Sequence, residues 1–146
     1  MKVKTIVASL IVGAMVLSGG ATAAAYNADP GIYEVAPCYE LLTSAVPMLS
    51  FDGATAQCDT NVIAYPTVTK ITAKMTLQKF WGLWVWNDVS NATWTKSAYD
   101  SDLAIYGNKT VTESGTYRVK TTITLTNSDG STETVTVYSL EEDITI

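Results

Sequence analysis

Apolar and polar residues alternate with a period of two along most of this 146-residue chain, and that period restricts the fold more than any other property of the sequence. The alternation is clearest over Thr116–Thr126, where one face carries Tyr117, Val119, Thr121, Ile123 and Leu125. This period is typical of an antiparallel strand with one face in the core and one in water. After residue 25 we find no helical periodicity, and seven or eight such segments recur with turn signals between them. The pattern predicts an all-β, antiparallel β-sandwich over residues 38–139.

Two turn signals specify hairpins within this sandwich. Ser128-Asp129-Gly130 predicts a three-residue loop with Gly130 left-handed, because only an odd loop length places Ile123 opposite Val135. Upstream, Asp52-Gly53 predicts a two-residue turn with Phe51 facing the core.

The first 25 residues have the features of a secretory signal peptide rather than of a folded element. A basic start is followed by an apolar stretch too short to span a bilayer, with small residues suited to cleavage near Ala23–Ala25. A retained anchor is the alternative. We therefore expect a secreted protein with no membrane span in the mature chain. Residues 26–37 are interpreted as an N-terminal arm, and residues 140–146 as an acidic tail or an added edge strand.

The charge of the mature chain limits its partners. Removing 25 of the 146 residues leaves 121, with seven bases against fourteen acids and a net charge of −7. Surfaces that bind nucleic acid or anionic membranes are basic, so neither partner is expected.

Two cysteines and no histidines narrow the chemistry. In an oxidising compartment Cys38 and Cys58 predict a disulfide worth about 3 kcal/mol, with two free buried thiols as the alternative. The missing histidine excludes Ser-His-Asp and Cys-His sites and the common zinc sites, and the chain has no Gly-rich nucleotide loop. A carboxylate pair is the remaining catalytic option. We predict no enzyme activity, no cofactor and no metal site.

The segment "KFWGLWVW", residues 79–86, contains three of the four tryptophans. A three-residue Phe80-Trp81-Gly82 loop would place Trp84 and Trp86 opposite Gln78 and Thr76 on the outer face, and Leu83, Val85 and Val89 inward. A loop of two or four residues would instead turn both tryptophans into the core together with Asp88, unless a bulge intervened.

An outward-facing arrangement suits ligand binding. Trp81, Trp84 and Trp86, with Gln78 and Arg118 as hydrogen-bonding neighbours, have the chemistry needed to stack on sugar rings or to form an aromatic contact with a protein. The alternative is that the rings lie over the stems of neighbouring basic side chains.

The stretch "ESGTYRV", Glu113 to Val119, resembles the start of strand F in immunoglobulin domains. The resemblance implies that the Tyr117 hydroxyl closes a corner against upstream backbone. Val119 stands where that family has its disulfide cysteine, so the usual bridge between the sheets is absent. More broadly, the signal peptide, "FDGATAQC", "ITAKMTLQK" and "GTYRVK" resemble small, uncharacterised secreted β-sandwich proteins of Gram-positive bacteria. This implies an immunoglobulin-like sandwich and secretion, and no catalytic residues.

These expectations lead to two functional hypotheses. The first is a secreted, non-catalytic module that binds cell-wall or extracellular glycan through the tryptophan face. The second is an extracellular structural or assembly protein that pairs strand edges with another protein, using the 26–37 arm or the terminal "DITI".

Overall fold

A computed structural model of the chain describes residues 4–5, 10–11 and 39–146. The described residues form ten strands, which are β1 Lys4–Thr5, β2 Leu10–Ile11, β3 Leu42–Asp52, β4 Thr55–Ala64, β5 Val68–Gly82, β6 Val85–Ala98, β7 Asp102–Thr110, β8 Gly115–Asn127, β9 Thr132–Tyr138 and β10 Glu142–Ile144. Within these residues there is no helix long and apolar enough to cross a membrane.

The strands form two packed sheets. The larger sheet has the order β9-β8-β5-β6, with β10 beside the start of β8 and the short β1 and β2 beside β9. The smaller sheet has the order β3-β4-β7. Pairing is antiparallel except where β1 and β2 run parallel to β9. The predicted all-β, immunoglobulin-like sandwich is confirmed, with eight strands in residues 39–146.

The core is made by alternate residues of both sheets, as the period of two requires. β8 buries the five residues of its predicted apolar face, and β5 buries Ile71, Ala73, Met75 and Leu77. Thr121 is the polar member of the β8 face, and its hydroxyl is 2.8 Å from that of Thr60 on the opposite sheet. This pair satisfies both buried hydroxyls and ties the sheets together.

The two predicted hairpins are present, one with its turn displaced. Ile123 pairs with Val135, and Gly130 has φ of 85°, so the three-residue loop is confirmed. In the first hairpin Asp52 pairs with Thr55, which makes Gly53-Ala54 the turn instead of Asp52-Gly53. The displacement by one residue on each strand preserves the faces of the strands.

The corner implied by the immunoglobulin resemblance is confirmed. The Tyr117 hydroxyl donates a hydrogen bond of 2.7 Å to the backbone carbonyl of Glu113. The Tyr117 ring is buried at the start of β8, with Phe51 packed edge-on at 5.7 Å.

The predicted disulfide is not formed, because Cys58 is a free, fully buried thiol on β4. Cys38 lies outside the described residues.

The C-terminal segment was interpreted either as an acidic tail or as an added edge strand. Residues 142–144 form β10, which pairs with Gly115–Tyr117 of β8, so an added edge strand is observed in place of a free tail. The 26–37 arm and nearly all of the expected signal peptide lie outside the described residues.

Candidate functional site

The β5–β6 hairpin carries the tryptophans, and its turn is Leu83-Trp84. Gly82 pairs with Val85, and the two turn residues have φ of 49° and 66°. Positive φ at both positions is the geometry of a type I′ turn, which favours Asn-Gly. The predicted Phe80-Trp81-Gly82 loop is therefore wrong. The turn could not be recognised from the sequence, because Leu83 and Trp84 occupy the two positions where Asn-Gly would have marked it.

Two bulges interrupt the β5–β6 pairing. Gly82 pairs with Val85 but Phe80 pairs with Trp86, so Trp81 is an extra residue of β5 next to the turn. This extra residue offsets the even length of the turn, and Trp86 and Asp88 stay on the outer face. Further from the turn, Thr76 pairs with Thr93, so residues 89–92 of β6 lie opposite a single β5 residue, and Asn91 takes φ of 56° there.

The exposure of the hairpin side chains differs from the prediction in part. Trp81 is 73% exposed and Trp84 93% exposed, at the end of the hairpin. Leu83 and Val85, predicted to face the core, are 94% and 46% exposed, because they belong to the turn and its flank. Val89 is partly buried against the core, as expected. We call Trp81, Leu83 and Trp84 the hairpin tip.

Trp86 and Arg118, by contrast, belong to a packed layer at the base of the hairpin. The Arg118 guanidinium carbon is 4.0 Å from the centroid of the Trp86 ring and 4.2 Å from that of the Tyr138 ring. Phe80 packs against Trp86 with ring centroids 5.2 Å apart. We call Trp86, Arg118 and Tyr138 the aromatic stack. Neighbours cover the Trp86 ring, which therefore supports the hairpin instead of offering an open platform.

Hydrogen bonds fix the orientation of the aromatic stack. The Arg118 Nε–H donates to Gln78 Oε1 at 3.0 Å, and Gln78 Nε2 donates to Asp88 Oδ1 at 2.8 Å. Through these two hydrogen bonds the Gln78 amide links β8 to β6 across β5. The Gln78 side chain is only 5% exposed. Desolvation by burial lowers the pKa of the Arg118 guanidinium from its usual value. The ordinary value is high enough that Arg118 stays charged.

A shallow depression of about 80 Å³ lies on the same outer face, beside the aromatic stack. Its lining is polar and consists of Lys74, Thr76, Asp88, Lys120 and Thr122. The outer face of the larger sheet thus passes from a polar depression, through the aromatic stack, to an apolar tip.

An open groove at the junction of β6 and β7 is used for packing between the sheets. Trp94 lies against Gly107 so closely that a Cβ there would be 2.2 Å from the indole. Lys96 Nζ donates to the Ala104 carbonyl at 2.7 Å. Both side chains join the edges of the two sheets. In the described part of the chain no cluster of three metal-ligating side chains occurs.

The five predicted ligand-binding residues therefore divide into two groups. Trp81 and Trp84 are exposed at the tip, whereas Trp86, Gln78 and Arg118 form the base. Tyr138 was not predicted as part of the site, because its contact with Arg118 depends on the pairing of β9 with β8. Leu83 was predicted to face the core but is exposed.

Comparison with known proteins adds no family. The sequence matches no protein-family model and no curated protein. Two crystal forms of wild-type OgpA from Akkermansia muciniphila align with TM-scores of 0.35 and 0.33 at 10% identity. The alignments cover 78% of this chain and 32% of the OgpA chain, so this protein spans about a third of that length. A similarity this weak supports no conclusion about function.

Proposed function

We propose that this protein is a secreted, non-catalytic binding domain that contacts an extracellular glycan through the hairpin tip. The observation that carries the proposal is the conformation of Leu83 and Trp84, which are non-glycine residues in left-handed geometry and more than 90% exposed.

The conformation and exposure of the hairpin tip lower the stability of the fold. A left-handed residue other than glycine costs on the order of 1 kcal/mol, and this turn has two where Asn-Gly would fit without strain. Large apolar side chains that are almost fully exposed gain little from burial in the fold. Strain and exposed apolar surface at one place support a contact with another molecule.

The chemistry of the tip suits a sugar. An indole ring offers a flat apolar face with an N–H at its edge, which matches the mixed apolar and hydroxyl character of a pyranose ring. Trp81 and Trp84 are exposed for such contacts, and Asn87 and Asp88 on β6 are exposed polar neighbours. The rigid base formed by the aromatic stack limits the entropy lost when the tip binds.

A pull-down on insoluble cell wall and common polysaccharides tests this proposal. The mature chain is compared with Trp81→Ala/Trp84→Ala and with the control Tyr99→Ala, which removes an aromatic ring that is 84% exposed elsewhere. Circular dichroism confirms that each variant is folded. We expect retention to be lost only in the tip variant, and equal retention of all three would contradict the proposal.

A second candidate function is strand pairing at the edge of β9. Residues 4–5 and 10–11 pair in parallel with β9, from Lys4 opposite Glu133 to Ile11 opposite Tyr138. The edge is therefore able to accept an added strand, and cleavage of a signal peptide would free it. Of the two expected donor segments, "DITI" is already engaged with β8 of its own chain, which leaves the 26–37 arm.

Gel filtration tests this second candidate. A chain beginning at residue 26 would associate through its arm, and a chain beginning at residue 38 would be monomeric. Equal monomeric masses for both would exclude assembly through the arm.

Export belongs to the first proposal and has its own test. N-terminal sequencing of protein recovered from the medium should find a start between residues 24 and 26. A start at Met1, or retention in the cell, would contradict secretion.

A further inference from the structure

The basic residues of this acidic protein are concentrated on the outer face of the larger sheet. Residues 39–146 contain seven bases and twelve acids. Four of the bases project from the outer face of the larger sheet, namely Lys70, Lys74, Arg118 and Lys120. On the four main strands of that sheet the one acid on the outer face is Asp88, since Glu133 is buried and binds the backbone N–H of Leu41.

Two of these basic residues, Lys74 and Lys120, flank the shallow depression, and neither forms an ion pair within the part of the chain that the structure describes. Thr76 pairs with Lys120 and Lys74 pairs with Thr122, so the two ammonium groups stand on adjacent strands around the depression. Among the described residues the ion pair of Lys79 with Glu113 involves neither of them. Asp88, whose Oδ1 accepts a hydrogen bond from Gln78, is the one acid in the lining, so two positive charges and one negative charge surround the depression. This local excess of positive charge creates a positive potential at one point of a negatively charged molecule.

Hydroxyl groups complete the lining of the depression. The Thr76 and Thr93 hydroxyl oxygens are 3.1 Å apart, and those of Thr122 and Thr136 are 3.3 Å apart. Each hydroxyl has one donor and two acceptor sites, so these pairs keep hydrogen-bonding capacity for a ligand.

We infer that the glycan is an acidic polysaccharide, with a carboxylate or sulfate group held between Lys74 and Lys120 and a sugar ring stacked on the hairpin tip. This inference rests on the proposed function and specifies its ligand. Lys74 and Phe80, the β5 residue just before the hairpin tip, are six residues apart, which is about 20 Å along the sheet. A ligand that reaches both the depression and the tip is therefore a chain of several sugar units. Charge complementarity favours an acidic chain, which the rest of the protein surface would repel.

Paired polymers with one backbone test the charge requirement. Binding of the mature chain to dextran and to dextran sulfate is measured by affinity electrophoresis, with polygalacturonate as the carboxylated polymer. We expect tighter binding to at least one acidic polymer than to dextran, and weaker binding as salt rises from 50 to 500 mM, since the two ammonium groups are partly open to solvent.

Charge variants locate the effect. Lys74→Gln/Lys120→Gln should weaken binding to the acidic polymer about tenfold. The matched control Lys96→Gln/Lys109→Gln removes the same charge from outside this face and should leave binding unchanged. If both variants lose the same binding affinity, the net charge of the protein explains the effect and the inference is overturned.

The tip variant separates this inference from the proposed function. If Trp81→Ala/Trp84→Ala abolishes binding to dextran while the lysine variants and salt change nothing, the tip binds a neutral glycan and the acidic ligand is wrong. If no polysaccharide is bound by the wild-type protein, both proposals fail.

Discussion

Arg118 fixes the base of the hairpin because its planar guanidinium lies between two aromatic rings and also bonds to Gln78. A lysine at this position would keep the charge but lose the stacking plane and the directed Nε–H. The interaction is half-buried, which strengthens cation–π attraction relative to an exposed pair.

We expect Arg118→Lys to lower the free energy of unfolding by about 1–2 kcal/mol, through loss of the stack and an unpaired Gln78 amide oxygen. Urea denaturation followed by tryptophan fluorescence measures the change. Lys120→Gln, two residues along the same strand and face, should stay within about 0.5 kcal/mol of the wild type. Equal effects of the two variants would mean that the stack adds nothing beyond surface charge.

Cys58 gives a second test at the scale of single residues. Burial, with the charge of Asp59 as a smaller contribution, raises the pKa of its thiol to about 12, so almost no thiolate exists at pH 8. We expect iodoacetamide at pH 8 to leave Cys58 unmodified in the native protein and to modify it in urea without any reductant. A peptide map under non-reducing conditions that contains linked Cys38 and Cys58 peptides would contradict this arrangement.

At the scale of elements, the residues of the β5–β6 turn lower the stability of the fold and are proposed to bind the ligand, so stability and binding can be changed in opposite directions. Leu83 and Trp84 are strained and exposed, so replacing them with the residues that a type I′ turn prefers removes strain without opening a cavity. Leu83→Asn/Trp84→Gly should raise the free energy of unfolding by about 1 kcal/mol and abolish glycan retention.

A second variant distinguishes relief of strain from loss of the rings. Leu83→Ala/Trp84→Ala keeps two left-handed residues and removes the side chains. It should lose retention without the gain in stability, as measured by urea denaturation and the same pull-down. If Leu83→Asn/Trp84→Gly is less stable than the wild type, the tip residues pack against the fold and the proposed role of the turn is wrong.

The elements also show what the sequence can and cannot predict. The β8–β9 loop was predictable because Gly130 marks the left-handed position and the flanking alternation allows one parity. The β5–β6 turn was not, because Leu83-Trp84 carries no turn signal and Trp81, the extra β5 residue beside the turn, carries no bulge signal. The two-residue turn and the bulge at Trp81 offset each other, so Trp86 faces outward for a reason other than the one predicted.

At the scale of the whole molecule, the order of the strands creates the features that alternation alone does not contain. Tyr138 reaches Arg118, and Lys74 comes beside Lys120, only because β9, β8 and β5 are neighbours in one sheet. The residues in each of these pairs are far apart in the sequence or on different strands. The sandwich therefore presents one face with a basic depression, a rigid aromatic base and an exposed tip, while most of its acids lie elsewhere.

The most direct measurement is a depletion isotherm of the mature protein on the polysaccharide that retains it, with wild type, Trp81→Ala/Trp84→Ala and Tyr99→Ala side by side. Binding through the tip predicts a loss of at least about 30-fold in affinity for the tip variant, the size expected for central aromatic contacts, and no change for Tyr99→Ala. An affinity of the folded tip variant within twofold of the wild type would show that the glycan binds elsewhere.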